Sequence, residues 1–112
     1  MPFINTKTNV TISKEQEEAI KSRFGEVISD IGKTESWLMV GFEEKASLYF
    51  KGQDSPCAIL DISLYGKAAP AAYESLTKDV TQIVSEELQL PSDRIYVKYQ
   101  EVDYWGWNGG NF

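Results

Sequence analysis

The spacing of apolar positions changes repeatedly along the chain. Residues 3–10 (FINTKTNV) read as a short strand. Ile20, Phe24, Val27 and Ile31 then recur at helical spacing on one face. Ser13 with Gln16 three positions on forms a capping-box pattern that starts this helix, and Gly32 supplies a left-handed stop. The stretch Trp37–Phe42 predicts a strand with apolar residues on both faces. Leu48–Phe50 predicts a short strand running into a turn at Lys51–Asp54. From Cys57 to Leu64 the period is two: Ala58, Leu60, Ile62 and Leu64 point one way, Asp61 and Ser63 the other. A second helix starts at about Pro70, where proline suits a first turn. Its buried stripe is Tyr73, Leu76, Val80, Ile83 and Leu88, and Leu90-Pro91 ends it. Ile95–Val102 is the last long strand, followed by an aromatic, glycine-rich tail from Tyr104 to Phe112.

The order strand–helix–strand therefore occurs twice in a single domain spanning residues 1–112. This predicts an α/β fold in which two βαβ units form a four-stranded mixed sheet. Right-handed crossovers place both helices on one face of that sheet. The other face is left bare although several of its residues are apolar, and oligomerisation is the economical way to cover it. A ferredoxin-like monomer has the same element order and is the structural rival.

Composition narrows the chemistry. With 42% hydrophobic and 25% charged residues the chain is of ordinary globular type. A net charge of −6 disfavours binding to nucleic acid. No apolar run is long enough for a membrane span, and no signal peptide pattern opens the chain. A cytoplasmic location is the expectation, with secretion by a non-classical route as the alternative. Cys57 is the only cysteine, which leaves no intrachain disulfide and no cysteine-based metal cluster. The chain has no histidine, so the Ser-His-Asp and Cys-His mechanisms and the usual imidazole ligands are absent. Acid–base chemistry near neutral pH must come from a perturbed side chain or from the amino terminus, whose amine titrates near ~8.

Three local features carry candidate chemistry. Pro2 follows the initiator methionine, and removal of Met1 would leave it a free secondary amine. It is otherwise the start of an edge strand. Lys33 follows the first helix, where a lysine serves the helix dipole or presents its ammonium to a carboxylate. Trp105, Trp107 and Phe112 lie in the tail with glycines between them, which suggests a loop folded over a subunit or an aromatic ligand. Cys57 reads as a small buried hydrophobe.

Taken together these residues resemble the macrophage migration inhibitory factor family of the tautomerase superfamily, over essentially the whole chain. The anchors are Met1-Pro2, Thr8-Asn9-Val10, Gly32-Lys33, Phe50-Lys51-Gly52, Ser55-Pro56-Cys57-Ala58, Gly66-Lys67, Ser92-Asp93-Arg94-Ile95-Tyr96-Val97, Gly106-Trp107-Asn108 and Phe112. The resemblance implies a homotrimer with sites at the subunit interfaces and no cofactor. It implies interconversion of keto and enol forms of phenylpyruvate-like α-keto acids, and of dopachrome analogues. By the same resemblance Pro2 is the general base and Lys33 binds the substrate carboxylate. The Tyr65 backbone N–H supports the oxygen that becomes charged. Tyr96 and Lys98 come from the adjacent subunit, while Trp37, Trp107 and Phe112 wall the pocket. A cytokine-like role toward a host or cell-surface receptor is the alternative from another class. Three positions depart from the animal members: Lys98 stands for an asparagine, Tyr65 for a small aliphatic residue, and Cys57-Ala58-Ile59-Leu60 lacks the second cysteine of a Cys-x-x-Cys motif.

Overall fold

The computed structural model describes residues 1–112. The main elements are β1 (Pro2–Thr8), α1 (Lys14–Val27), β2 (Met39–Glu43), β3 (Ala58–Tyr65), α2 (Pro70–Leu88) and β4 (Ile95–Val102). A closing hairpin pairs β5 (Gly106–Trp107) with β6 (Gly110–Asn111).

The four long strands form one sheet in the order β2–β1–β3–β4. β1 pairs parallel with β2, antiparallel with β3, and β3 pairs parallel with β4. Each βαβ unit thus keeps its two strands adjacent. In a ferredoxin-like sheet another strand separates them, so the strand order excludes that rival. The four-stranded mixed sheet with two helices is the expected architecture.

Alternation along β1 and β3 fixes which side the helices cover. Ile4, Thr6 and Thr8 with Ala58, Leu60, Ile62 and Leu64 are buried, while their neighbours are half-buried. On this side α1 contributes Ile20 and Phe24, and α2 contributes Leu76, Val80, Ile83, Val84 and Leu88, to one core. Side chains of this size contribute roughly 1.5–3 kcal/mol each when fully buried. Ser13 and Gln16 do form the reciprocal capping box, at 3.1 and 2.8 Å.

Several sequence expectations change, the first being that the strand opened by Pro2 is an inner strand between β2 and β3 and not an edge strand. The first helix tightens at Ile28–Ile31 into a 3-10 turn, so Ile28 and Ile31 continue the buried stripe and Val27 is only half-buried. The strand expected from Trp37 starts at Met39, because Glu35–Trp37 forms a 3-10 turn closed by Leu38 N–H on the Glu35 carbonyl at 3.1 Å. Leu48–Phe50 joins no strand in the subunit, since Phe50 bonds only across its own turn to Gln53. The bare sheet face is mixed. Phe3, Met39, Ile59 and Tyr96 line it, but its middle cross-strand row, Gly41, Asn5, Asp61 and Lys98, is polar apart from the glycine. No helix is long and apolar enough to cross a membrane.

Candidate active site

The start of β1 and the end of β3 lie side by side, and the candidate site grows from that corner. Pro2 is buried opposite Leu64. One residue out, the Tyr65 N–H donates to the Met1 carbonyl at 3.0 Å. The Tyr65 carbonyl accepts a hydrogen bond from Lys33 Nζ, also at 3.0 Å. Gly32 makes this reach possible: its left-handed backbone (φ 72°) ends the α1 extension and turns the chain so that Lys33 points back to the sheet. The backbone of one residue, Tyr65, therefore ties the terminal residue and the lysine together.

That corner is electrostatically unusual. Burial, and then the Lys33 charge, hold the Met1 α-amine below its ordinary value. Both causes disfavour the protonated form and leave a free base nearer neutral pH.

Aromatic rings wall the corner on the outside. Trp37 meets Trp107 edge to face with centroids 5.0 Å apart, and Phe112 at 6.5 Å. Phe112 also lies 5.9 Å from the Tyr65 ring. The tail reaches this position as a tight hairpin. Asn108 and Gly109 both adopt positive φ, at 53° and 81°, and Phe112 N–H returns to the Trp105 carbonyl at 3.0 Å. Asn-Gly between paired residues is a strong hairpin signal, and it was available in the sequence. Trp37, Trp107 and Phe112 remain 45, 55 and 52% exposed, so the wall has an open side.

The remaining two candidates lie elsewhere in the subunit. Tyr96 pairs with Ile59 and Val102 with Tyr65, which puts Tyr96 six residues from the Tyr65 end, roughly 20 Å at about 3.3 Å per residue. Tyr96 stacks on Phe50 at 4.5 Å beside an apolar groove of about 480 Å3. Lys98 is cross-strand from Asp61 and forms an ion pair with it at 3.3 Å. It is a paired cation on the open sheet face. The subunit thus brings together Pro2, Lys33, Trp37, Tyr65, Trp107 and Phe112, and separates Tyr96 and Lys98 from them.

Fold and corner define a small α/β protein of two adjacent βαβ units with a terminal amine, a lysine and an aromatic wall at one sheet end. The family model described as macrophage migration inhibitory factor (MIF) matches residues 1–112. The chain belongs to this family. It is 26% identical to macrophage migration inhibitory factor of Meriones unguiculatus over 114 aligned positions, covering 100% of this chain and 99% of that protein. The crystal structure of Leishmania major MIF2 superposes with a TM-score of 0.95 at 29% identity, covering 100% and 97% of the two chains. The structure of Pt0534 inactivated by 2-oxo-3-pentynoate shares the fold, with a TM-score of 0.85 at 16% identity over 96% and 93%.

Proposed function

We propose that the protein is a cofactor-free keto–enol tautomerase of phenylpyruvate-like α-keto acids, acting as a homotrimer with Pro2 as general base once Met1 is removed. The observation that carries this reading is the convergence of buried Pro2, the Lys33 ammonium and the Tyr65 backbone beside an aromatic wall.

Removal of Met1 changes two atoms at once. With Met1 in place the Pro2 nitrogen is a tertiary amide without a basic lone pair. The Tyr65 N–H is meanwhile occupied by the Met1 carbonyl. Removal makes the nitrogen a secondary amine and frees the N–H for a ligand oxygen. The amine then takes a proton from the carbon beside the keto group, and the electron pair moves onto the keto oxygen. Lys33 holds the carboxylate, and the Tyr65 N–H faces the developing oxyanion. Return of a proton to that oxygen gives the enol, and the reverse path gives the ketone. Fixed positive charge and a preset donor stabilise the charged transition state more than the neutral ketone. An aromatic wall suits an aryl side chain. Pt0534 is inactivated by a 2-oxo acid, which makes such acids natural first compounds to test.

The test joins intact-mass spectrometry to a phenylpyruvate enol–keto assay on one sample. Protein lacking Met1 is expected to turn over. Pro2→Gly is expected to lose at least about a hundredfold in kcat/KM, the scale of a lost general base, with unchanged sedimentation. Wild-type rates in that variant would refute the mechanism. A cytokine-like receptor role is the second reading, favoured by the names of the curated relatives. Receptor binding that survives in Pro2→Gly, with negligible wild-type turnover, selects it.

A further inference from the structure

Arg94 belongs to the Ser92-Asp93-Arg94-Ile95-Tyr96 run but has no part in the chemistry above. Its surroundings are unusual for a surface arginine, because no carboxylate pairs with it. The guanidinium instead donates to four backbone carbonyls of one loop. Nη1 reaches Phe50 at 2.8 Å, Nη2 reaches Ser55 at 2.9 Å and Gln53 at 3.3 Å, and Nε reaches Pro56 at 3.3 Å. The planar fork of arginine can hold several acceptors at fixed angles, which a lysine cannot. The same group also lies over the Phe50 ring, 5.0 Å from its centroid.

The loop it holds has no sheet partner in the subunit. Residues between β2 and β3 are fixed by the Phe50–Gln53 turn, in which Lys51 and Gly52 both take positive φ, and by Asn9, whose side chain bonds Asp54, Ser55 and Cys57. Asn9 anchors the Asp54–Cys57 end of the loop, and Arg94 spans both ends, from Phe50 to Pro56. Phe50 in turn stacks on Tyr96 at 4.5 Å, with ring planes 29° apart. The guanidinium and the Tyr96 ring both lie against Phe50, and Lys51 Nζ stands 5.7 Å from the same ring centroid. Tyr96 is 59% exposed, and Phe50 is the aromatic ring stacked on it.

We propose that Arg94 is a positioning residue: by clamping the Phe50–Pro56 loop it holds Phe50 against Tyr96 and so sets the orientation in which Tyr96 is presented to a neighbouring subunit's site. The first half of this statement concerns one subunit. The second rests on the tautomerase reading.

Two measurements separate the halves. In 1H NMR, Phe50 should shift the Tyr96 ring signals through its ring current. Arg94→Met is expected to abolish most of that shift, as Phe50→Leu does, while circular dichroism and sedimentation stay as in the wild type. Arg94→Lys keeps the charge without the fork and is expected to restore little of the shift. It also serves as the second variant if Arg94→Met fails to fold. In the enol–keto assay, Arg94→Met and Phe50→Leu are each expected to raise KM about tenfold with kcat changed less than about threefold. The double variant should be no worse than either single one. Unmoved Tyr96 signals in Arg94→Met overturn the clamp. Moved signals with an unchanged KM, or single-variant effects that multiply, overturn its role at the site. A wild type without turnover sinks the tautomerase reading alone, and the NMR arm then decides the clamp.

Discussion

Lys33 supplies one fixed charge that acts on two groups. Its ammonium donates to the Tyr65 carbonyl, and its field helps hold the Met1 amine below the ordinary value; in the proposed mechanism the same field acts on the Pro2 amine once Met1 is removed. The Pro2 amine must be unprotonated to act as base, so activity should be lost as pH falls through its pKa. Lys33→Met removes that charge and leaves the burial of Pro2 in place. The amine pKa then rises, and the acid limb of the kcat/KM profile should move to higher pH. The same variant should raise KM for an α-keto acid by about tenfold, through the lost carboxylate contact. An acid limb in the same place would show that Lys33 does not govern the amine. At this scale much of the candidate site was legible. Pro2, Lys33 and the tail aromatics stood out from the residues themselves, and Trp37 and Tyr65 came with the family resemblance. The pairing of Lys98 with Asp61 was not legible, because it depends on the register between two parallel strands far apart in sequence.

Among the elements, the packing of the Ile28–Ile31 turn on α2 contains a feature that periodicity does not reveal. Asp30 faces Asp79 on α2, and Asp30 Oδ2 is buried without a partner if both groups are ionised. A hydrogen bond between the two carboxyls, then burial, then the Asp79 charge, push Asp30 up to about 6 from 3.8. The folded protein therefore holds this proton more tightly than the unfolded chain does. Its contribution to stability is full below the unfolded pKa and is lost as pH rises through about 6. Asp30→Asn carries a donor to Asp79 at every pH. It should flatten the fall in Tm between pH 4.5 and 7.5 and raise Tm at the upper end by about 3–5 °C. Thermal unfolding at those two pH values checks this, and identical slopes in both proteins would refute it. Helices and long strands were readable because their apolar period is local. The lone Leu48–Phe50 segment looks like a strand by propensity but finds no partner within the subunit, and no local pattern reports that.

On the scale of the whole molecule, the subunit divides its candidate residues between two ends of one strand pair. Pro2, Lys33 and the aromatic wall lie at the Tyr65 end, and Tyr96 lies roughly 20 Å away at the Ile59 end. No side chain spans that distance, so a single copy cannot combine both sets. A closed ring of copies can, if the Tyr65 end of one subunit meets the Ile59 end of the next. This gives a test that does not depend on imaging the assembly. Pro2→Gly subunits lack the base but keep Tyr96, while Tyr96→Ala subunits keep the base. Unfolded together at equal amounts and refolded, they should form mixed rings in which roughly a quarter of the sites receive Pro2 from one parent and Tyr96 from the other. Enol–keto activity of the mixture should then exceed the mean of the two variants refolded separately. Sites confined within one subunit could never be repaired by mixing. Activity equal to the mean, in a sample shown by native mass spectrometry to contain mixed rings, would place the whole site within one chain and leave Tyr96 outside it.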